Sequence, residues 1–292
     1  MKKIALLLAL ILALGLLPGC GSTPRTDLAA TTLPVYQFTT LLCRGTGLTV
    51  ARLVTESVSC LHDYTLQVRQ MKIIEGADVV VLSGAGLEDF LSDALTAAKT
   101  TIDASQGISL LENHEHEEDG HHDGHTHEVD PHIWLDPENA KIMAENIARG
   151  LSGRYPDFAD RFDENLNELL AQLDALEAYG TRTLSELSTR SMITFHDGFS
   201  YFARAFNLNI LAAVEEESGS EASAQELKAL ITLTEENHLP AVFTEKNGAD
   251  AAAKVISAAT GAGIFTLDMA ISGDDYFEAM YRNIDTVKEA LA

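Results

Sequence analysis

Residues 156–187 read PDFADRFDENLNELLAQLDALEAYGTRTLSEL, and they decide how the rest of the chain is organised. Apolar side chains recur every three or four positions through this stretch, which is the spacing of one helix face. They are Phe158, Phe162, Leu166, Leu169, Leu170, Leu173 and Leu176. The stretch predicts a single helix of about 30 residues, well above the average length in globular domains.

Short apolar runs alternate with amphipathic stretches on both sides of this helix, the pattern of βα units around a parallel sheet. The first series predicts strands at 28–31, 48–54, 78–82 and 101–104, and helices at 34–45, 66–76, 87–98 and 137–150. The second predicts strands at 191–195, 208–213, 240–244 and 263–267, and helices at 198–206, 223–237, 249–260 and 275–291. The predicted fold class is α/β: two lobes, each a parallel sheet flanked by helices, joined by one long rigid helix. We expect an N-terminal α/β lobe at 28–155, the linking helix at 156–187 and a C-terminal α/β lobe at 188–292.

The first residues predict export. Met1-Lys2-Lys3 precedes an apolar run from Ile4 to Leu17 that is too short to span a bilayer but typical of a signal peptide, here 1–19. Leu17-Pro-Gly-Cys20 resembles the lipobox of bacterial lipoproteins, whose cysteine is lipidated. Residues 20–27 would then be a lipidated tether, and the protein extracytoplasmic and anchored to the bacterial cell membrane. An ordinary signal peptide cleaved elsewhere is the alternative.

Charge and cysteine content narrow the class of protein further. A formal net charge of −24 argues against a nucleic-acid partner and favours cations. Outside the cytoplasm, Cys43 and Cys60 could form a disulfide that closes a loop of about 17 residues. Two buried free thiols, or Cys60 as a thiolate metal ligand, are the alternatives.

A histidine-rich stretch points to metal. Seven of the ten histidines lie between His114 and His132, and neutral imidazole is the commonest side-chain ligand for zinc and neighbouring transition metals. Residues 113–129 are predicted to be a disordered loop that binds metal in an auxiliary way, with a merely solvated polar tract as the alternative. The auxiliary histidines are His114, His116, His121, His122, His125 and His127.

Four further polar residues are predicted to converge between the lobes. Three follow predicted strands and one follows the histidine-rich loop, and ligands of open parallel sheets bind at the carboxyl ends of strands. Considered alone, each of them is more simply interpreted as a buried side chain with hydrogen-bond partners, or as a residue that caps the next loop. Two come from each lobe, however, so a closed cleft would gather three imidazoles and one carboxylate. These residues are His62, His132, His196 and Asp268.

The chain resembles the solute-binding lipoproteins of zinc and manganese ABC importers over nearly all residues after Cys20. The resemblance is carried by His62-Asp-Tyr64, Asp130-Pro-His-Ile-Trp-Leu-Asp-Pro137, Phe195-His-Asp-Gly-Phe-Ser-Tyr-Phe-Ala203, Val242-Phe-Thr-Glu245 and Leu267-Asp268, followed by Tyr276. It implies that His62, His132, His196 and Asp268 bind the transported metal ion. It also implies an ABC permease membrane subunit as partner. We expect the protein to be a monomer.

Zinc is the predicted cargo. Three nitrogens and one carboxylate suit zinc, whereas manganese prefers more oxygen, and position 196 is histidine rather than the glutamate of the manganese type. The predicted function is capture of Zn²⁺ in the interlobe cleft and delivery to the permease, without catalysis. The alternatives are a manganese-binding homologue, a secreted zinc-dependent hydrolase and an adhesin with incidental zinc. A hydrolase could draw its base from Glu245 or 215–217, although a solvated loop or cap is the simpler interpretation of both, and the chain lacks a His-Glu-x-x-His motif.

Overall fold

The computed structural model describes residues 26–56, 64–112, 129–214 and 222–292. It contains two four-stranded sheets in which every paired strand is parallel, linked by one long helix. The predicted fold class is therefore confirmed. Within the part of the chain that is described, no helix is both long and apolar enough to cross a membrane.

The first sheet has the strand order β2-β1-β3-β4. All four predicted strands of this half are confirmed, each shorter than expected. They are β1 (Leu28–Ala30), β2 (Val50–Arg52), β3 (Val79–Leu82) and β4 (Thr101–Asp103). The helices between them are α1 (Leu33–Leu42), α2 (Val68–Gly76) and α3 (Ser92–Leu95). The carboxyl ends of all four strands lie at one edge, where ligands of such sheets bind.

The helix predicted at 87–98 is wrong in extent. A 3₁₀ turn at Asp89–Leu91 leads into the single turn of α3 instead. No residue of α3 itself is buried. A helix this short is marginal unless an apolar face packs against the core. The local sequence pattern does not show whether such packing occurs.

The long helix is shorter than predicted, because the chain breaks at Tyr155. The preceding helix, α4 (Pro137–Arg154), runs past Gly150, where its end was predicted. Proline disfavours helical angles in the residue before it, and Tyr155, before Pro156, has φ −130° and ψ 67°. A 3₁₀ turn follows, and α5 (Ala159–Thr183) then has 25 residues rather than about 30. Its predicted apolar face is confirmed, since Phe162, Leu169, Leu173 and Leu176 are buried.

The second sheet has the order β6-β5-β7-β8, and its elements agree with the predictions within two residues at each end. The strands are β5 (Ser191–Thr194), β6 (Asn209–Ala213), β7 (Ala241–Glu245) and β8 (Gly263–Leu267). The helices are α6 (Ser200–Ala205), α7 (Ala224–Glu236), α8 (Ala251–Thr260) and α9 (Tyr276–Leu291).

One continuous hydrophobic core joins the two halves. It contains Leu28 of β1, Leu173 of α5 and Phe243 of β7, together with Trp134 and Tyr276. Helix α9 contributes to this core by packing against α5, α1 and β8. Because close-packed interiors resist deformation, the two sheets are held in a set relation to each other.

Candidate metal centre

His132 is oriented by a carboxylate two residues before it. The ring Nδ1 and the backbone nitrogen of His132 both lie 2.8 Å from Asp130 Oδ1. The carboxyl oxygen accepts the hydrogen bond from Nδ1–H in this contact, so in the neutral ring it is Nε2 that has a lone pair for a metal ion. Both residues are buried. This is the usual arrangement of a metal-binding histidine and its carboxylate partner.

The segment that carries His132 is anchored on both sides. Before it, Glu112 and Val129 form an antiparallel bridge, and the Asp130 nitrogen donates to the Leu111 carbonyl at 2.9 Å. The histidine-rich stretch therefore leaves and re-enters the described chain at neighbouring positions. After it, Asp136 caps α4 by accepting from the Glu138 nitrogen at 2.9 Å.

His196 follows β5 at the carboxyl end of the second sheet. Its Nδ1 lies 3.4 Å from Glu245 Oε2, at the end of the neighbouring strand β7. Gly198 leaves the space that the ring occupies, since a Cβ there would lie 2.6 Å from His196 Cδ2 and 2.9 Å from Nε2. The local backbone and the neighbouring strand together fix the ring.

The structure brings His132 and His196 together from opposite halves of the chain. Their Nε2 atoms are 3.5 Å apart. Two nitrogens that each lie about 2.0–2.1 Å from a tetrahedral zinc ion are about 3.3–3.4 Å apart. The pair therefore fits two positions of a zinc coordination sphere.

Asp268 follows β8, and its backbone is held by helix α9. The Asp268 nitrogen donates to Asn283 Oδ1 at 2.8 Å, and Asn283 Nδ2 donates to the Asp268 carbonyl at 2.7 Å. The carboxylate accepts from the Ala270 nitrogen at 2.9 Å and from Lys246 Nζ at 2.8 Å. Among the four described segments, no three histidine, cysteine or acidic residues are close enough to hold a metal ion. The structure thus pairs the two histidines and gives Asp268 cationic partners.

Glu245 is a site residue whose position the sequence interpretation missed. A solvated loop or cap was expected, but Glu245 is buried at the end of β7. Burial, and next the negative charge of Asp268, raise the pKa of Glu245 to about 8. Applying the strand-end rule to β7 would have found this residue, as it found His196 and Asp268.

Two buried carboxyl groups at the site each keep one oxygen unpaired. Asp130 Oδ2 and Glu245 Oε1 are buried without a hydrogen-bond partner within the described residues. Buried polar atoms are normally satisfied. A divalent cation nearby would favour the charged form of these carboxylates, so the donor set fits a positively charged ligand.

Several predicted site residues lie outside the described residues. These are Cys20, Cys60, His62, 215–217 and the six auxiliary histidines. The segment containing Cys60 and His62 is flanked by Glu56 and Tyr64, whose side chains are joined by a 2.5 Å hydrogen bond from the Tyr64 hydroxyl. Cys43 carries a buried thiol, and burial raises its pKa to about 12. Its pairing with Cys60 stays a prediction.

Comparison with known proteins gives consistent similarities. A family model described as zinc-uptake complex component A, periplasmic, matches residues 28–290. The zinc-binding lipoprotein AdcA of Streptococcus pneumoniae is 31% identical over an alignment 309 positions long, which covers 99% of this chain and 61% of AdcA. The chain therefore spans less than two thirds of the length of that relative.

Solved structures are similar over most of the chain. The crystal structure of ZnuA has a TM-score of 0.78 and 32% identity, covering 91% of this chain and 100% of that one. The Zn(II)-bound ZnuA-like domain of Streptococcus pneumoniae AdcA has a TM-score of 0.76 and 25% identity, covering 91% and 99%.

Proposed function

The chain belongs to the periplasmic zinc-uptake complex component A family, and we propose from this membership that it captures Zn²⁺ and delivers it to an ABC-type membrane permease for import. Zinc is then a cargo that leaves unchanged, so the function requires binding and release rather than catalysis. The name of the similar AdcA, a zinc-binding lipoprotein, supports zinc as the cargo.

The observation that carries the proposal is the 3.5 Å separation of His132 Nε2 and His196 Nε2. These two nitrogens come from opposite halves of the chain, and each ring has a carboxyl group beside its other nitrogen. Such a group fixes the orientation of a metal-binding imidazole and, when ionised, raises its basicity. A cation bound between the rings would bridge the two halves.

His62 and Asp268 would complete a four-ligand site. His62 belongs to the segment whose flanks are joined by Tyr64 and Glu56. Asp268 would contribute one oxygen, giving three nitrogens and one oxygen around the ion. This donor set favours zinc over manganese, which prefers oxygen-rich sites.

The six auxiliary histidines would raise the local zinc concentration beside the site. Their stretch begins and ends at the Glu112–Val129 bridge, and Asp130 follows at once. Any metal they hold is therefore tethered within a short chain distance of His132. Tethering of this kind raises the effective concentration of a ligand without a new tight contact.

Lipidation at Cys20 would keep the protein outside the cytoplasm and at the membrane, where the permease lies. The lipoprotein description of AdcA supports this location. We propose that a monomer docks on the permease. A hydrolase is the weaker candidate because the matching family is one of zinc uptake and the chain lacks a His-Glu-x-x-His motif.

The test is zinc titration of the purified full chain against a competing chelator, with metal content measured in parallel. His132→Ala and His196→Ala should each weaken the tight site by at least about a hundredfold. His238→Asn is the matched control, because this exposed histidine precedes β7 at the opposite edge of the sheet.

Deletion of residues 114–127 distinguishes zinc bound by the histidine-rich loop from zinc bound at the tight site. The deletion variant should keep one tight zinc ion and lose only weaker ones. The proposal is contradicted if the chain binds no zinc tightly, or if the tight site disappears with the loop while both histidine variants retain it.

A further inference from the structure

The carboxylate of Asp268 already has cationic partners. Lys246 Nζ lies 2.8 Å from Asp268 Oδ2, and Arg282 Nη1 lies 3.9 Å from the same oxygen. Oδ1 accepts from the Ala270 nitrogen at 2.9 Å. Both oxygens of this candidate metal ligand are therefore engaged within the described structure.

The backbone places Lys246 in this position. Strands β7 and β8 are parallel, with Glu245 paired to Leu267, and the Lys246 nitrogen donates to the Leu267 carbonyl at 2.8 Å. Lys246 and Asp268 each directly follow one member of the Glu245–Leu267 pair. The register of the two strands therefore holds them side by side.

The two partners differ in their access to water. The Asp268 side chain is 11% exposed, whereas that of Lys246 is 46% exposed. The ammonium group can therefore turn out into solvent while the carboxylate stays at the site. A long lysine side chain commonly keeps its charged end in water in this way.

The ammonium group supplies a positive charge that a divalent ion would also supply. Glu245, the residue before Lys246, is buried at the end of β7, and its Oε1 has no hydrogen-bond partner within the described residues. Asp268 Oδ2 lies 2.8 Å from Lys246 Nζ. A cation close to an acidic group favours the charged form of that group.

We propose that Lys246 is a built-in competitor for zinc, which holds Asp268 in the metal-free protein and yields it when the ion binds. This inference rests on the proposed zinc site. On capture, Lys246 swings into solvent and Asp268 turns an oxygen to the metal. On release, the ammonium group returns to Asp268, which stabilises the empty state and speeds dissociation.

The experiment compares Lys246→Gln with Lys246→Arg and Lys254→Gln. Lys254 forms an exposed ion pair with Asp250 in the same lobe, so its substitution changes the net charge equally. Zinc affinity is measured by chelator competition, and the rate of release by rapid mixing with excess chelator. Lys246→Gln should bind zinc about fivefold more tightly, the scale of one partly exposed ion pair, and release it more slowly.

The melting temperature distinguishes competition between Lys246 and zinc from a purely structural role of Lys246. Lys246→Gln should lower the melting temperature of the metal-free protein and enlarge the increase caused by zinc. Lys246→Arg should restore the wild-type affinity and rate, and Lys254→Gln should match wild type in all measurements.

Equal or weaker zinc binding by Lys246→Gln, with one tight zinc ion in the wild type, would overturn the competitor role alone. Absence of a tight zinc site from the wild type would overturn the proposed function, and the competitor role with it.

Discussion

The indole Nε1 of Trp134 donates to the carbonyl oxygen of Met269 over 2.8 Å, so the segment carrying His132 is bonded to the segment carrying Asp268. The Tyr276 hydroxyl reinforces this link by donating to the Trp134 carbonyl at 2.7 Å. Trp134 and Tyr276 are both fully buried. Since buried hydrogen-bond networks rigidify the groups they join, the two halves of the site are not carried on independently moving lobes.

Tyr276→Phe tests this link. The substitution leaves the buried Trp134 carbonyl without its hydroxyl donor, so the free energy of unfolding should fall by about 1–3 kcal/mol in urea titrations. Zinc affinity should fall as well, because Trp134 lies two residues from His132. Tyr179→Phe is the control: its hydroxyl donates to Asp285 at the surface, and its loss should cost less than about 0.5 kcal/mol. Equal losses from the two variants would contradict the special role of the buried link.

Asp130→Asn should weaken zinc binding with little change in fold. The amide oxygen can still accept from the His132 ring, but the negative charge that supports the imidazole is lost. Removal of such a partner costs about 10–100-fold in metal affinity, and the retained oxygen places the expected loss near tenfold. Chelator competition measures this effect, with the exposed Asp250→Asn as control. Unchanged affinity in Asp130→Asn would show that His132 does not depend on this carboxylate.

Gly198→Ala should displace the His196 ring. A Cβ at this position would lie 2.6 Å from both His196 Cδ2 and Met269 Cε. We expect zinc affinity to fall by about tenfold or more and stability by about 1–3 kcal/mol. Gly153→Ala is the control, because its helix has open space at that position and alanine should stabilise it by up to about 1 kcal/mol. Normal zinc binding in Gly198→Ala would mean that the ring is free to adjust.

Glu88 should make the stability of the metal-free protein depend on pH. This buried carboxyl accepts from Thr31 Oγ1 at 2.6 Å, the Ser83 nitrogen at 2.7 Å and the Gly84 nitrogen at 3.0 Å. Burial raises its pKa to about 7, against about 4.3 in an unfolded chain. The folded state therefore binds the proton more tightly. The resulting stabilisation is complete below about pH 4.3 and is lost as pH rises through 7.

Between pH 5 and pH 8, this residue should lower the free energy of unfolding by up to about 3 kcal/mol. Glu88→Gln should flatten that decline, although it loses one backbone hydrogen bond and is less stable at pH 5. Urea unfolding at four pH values measures the slope, with the exposed Glu236→Gln as control. Parallel profiles for Glu88→Gln and wild type would rule out this carboxyl as the source.

Local patterns in the sequence predict much of this fold because each half is a series of short buried strands and amphipathic helices. The rule that ligands lie at the carboxyl ends of parallel strands singled out His196 and Asp268, and the structure places them directly after β5 and β8. Their role as metal ligands stays a prediction. The rule was not applied to β7, and Glu245 was therefore taken for a solvated residue. The prediction of a helix at 87–98 was wrong in extent for a related reason. Whether its residues are buried depends on neighbours that lie far away in the sequence.

Local sequence patterns cannot predict which residues contact one another at the site. The 3.5 Å contact of His132 with His196 joins residues 64 positions apart. The ion pair of Lys246 with Asp268 depends on the register of β7 with β8, which places the two residues side by side. Only the packed structure fixes such relations.

The shared core has a consequence for the order of folding. Helix α9 packs against α1 and α5, and the Leu291 carbonyl accepts hydrogen bonds from both the backbone and the hydroxyl of Ser188. During synthesis, N-terminal segments usually fold first. Here α1 and α5 cannot complete their packing until residues 276–291 are available. We therefore expect the chain to stay incompletely folded until its last helix is available, and the Asp268 segment, which Asn283 of α9 holds, to be among the last parts to be assembled.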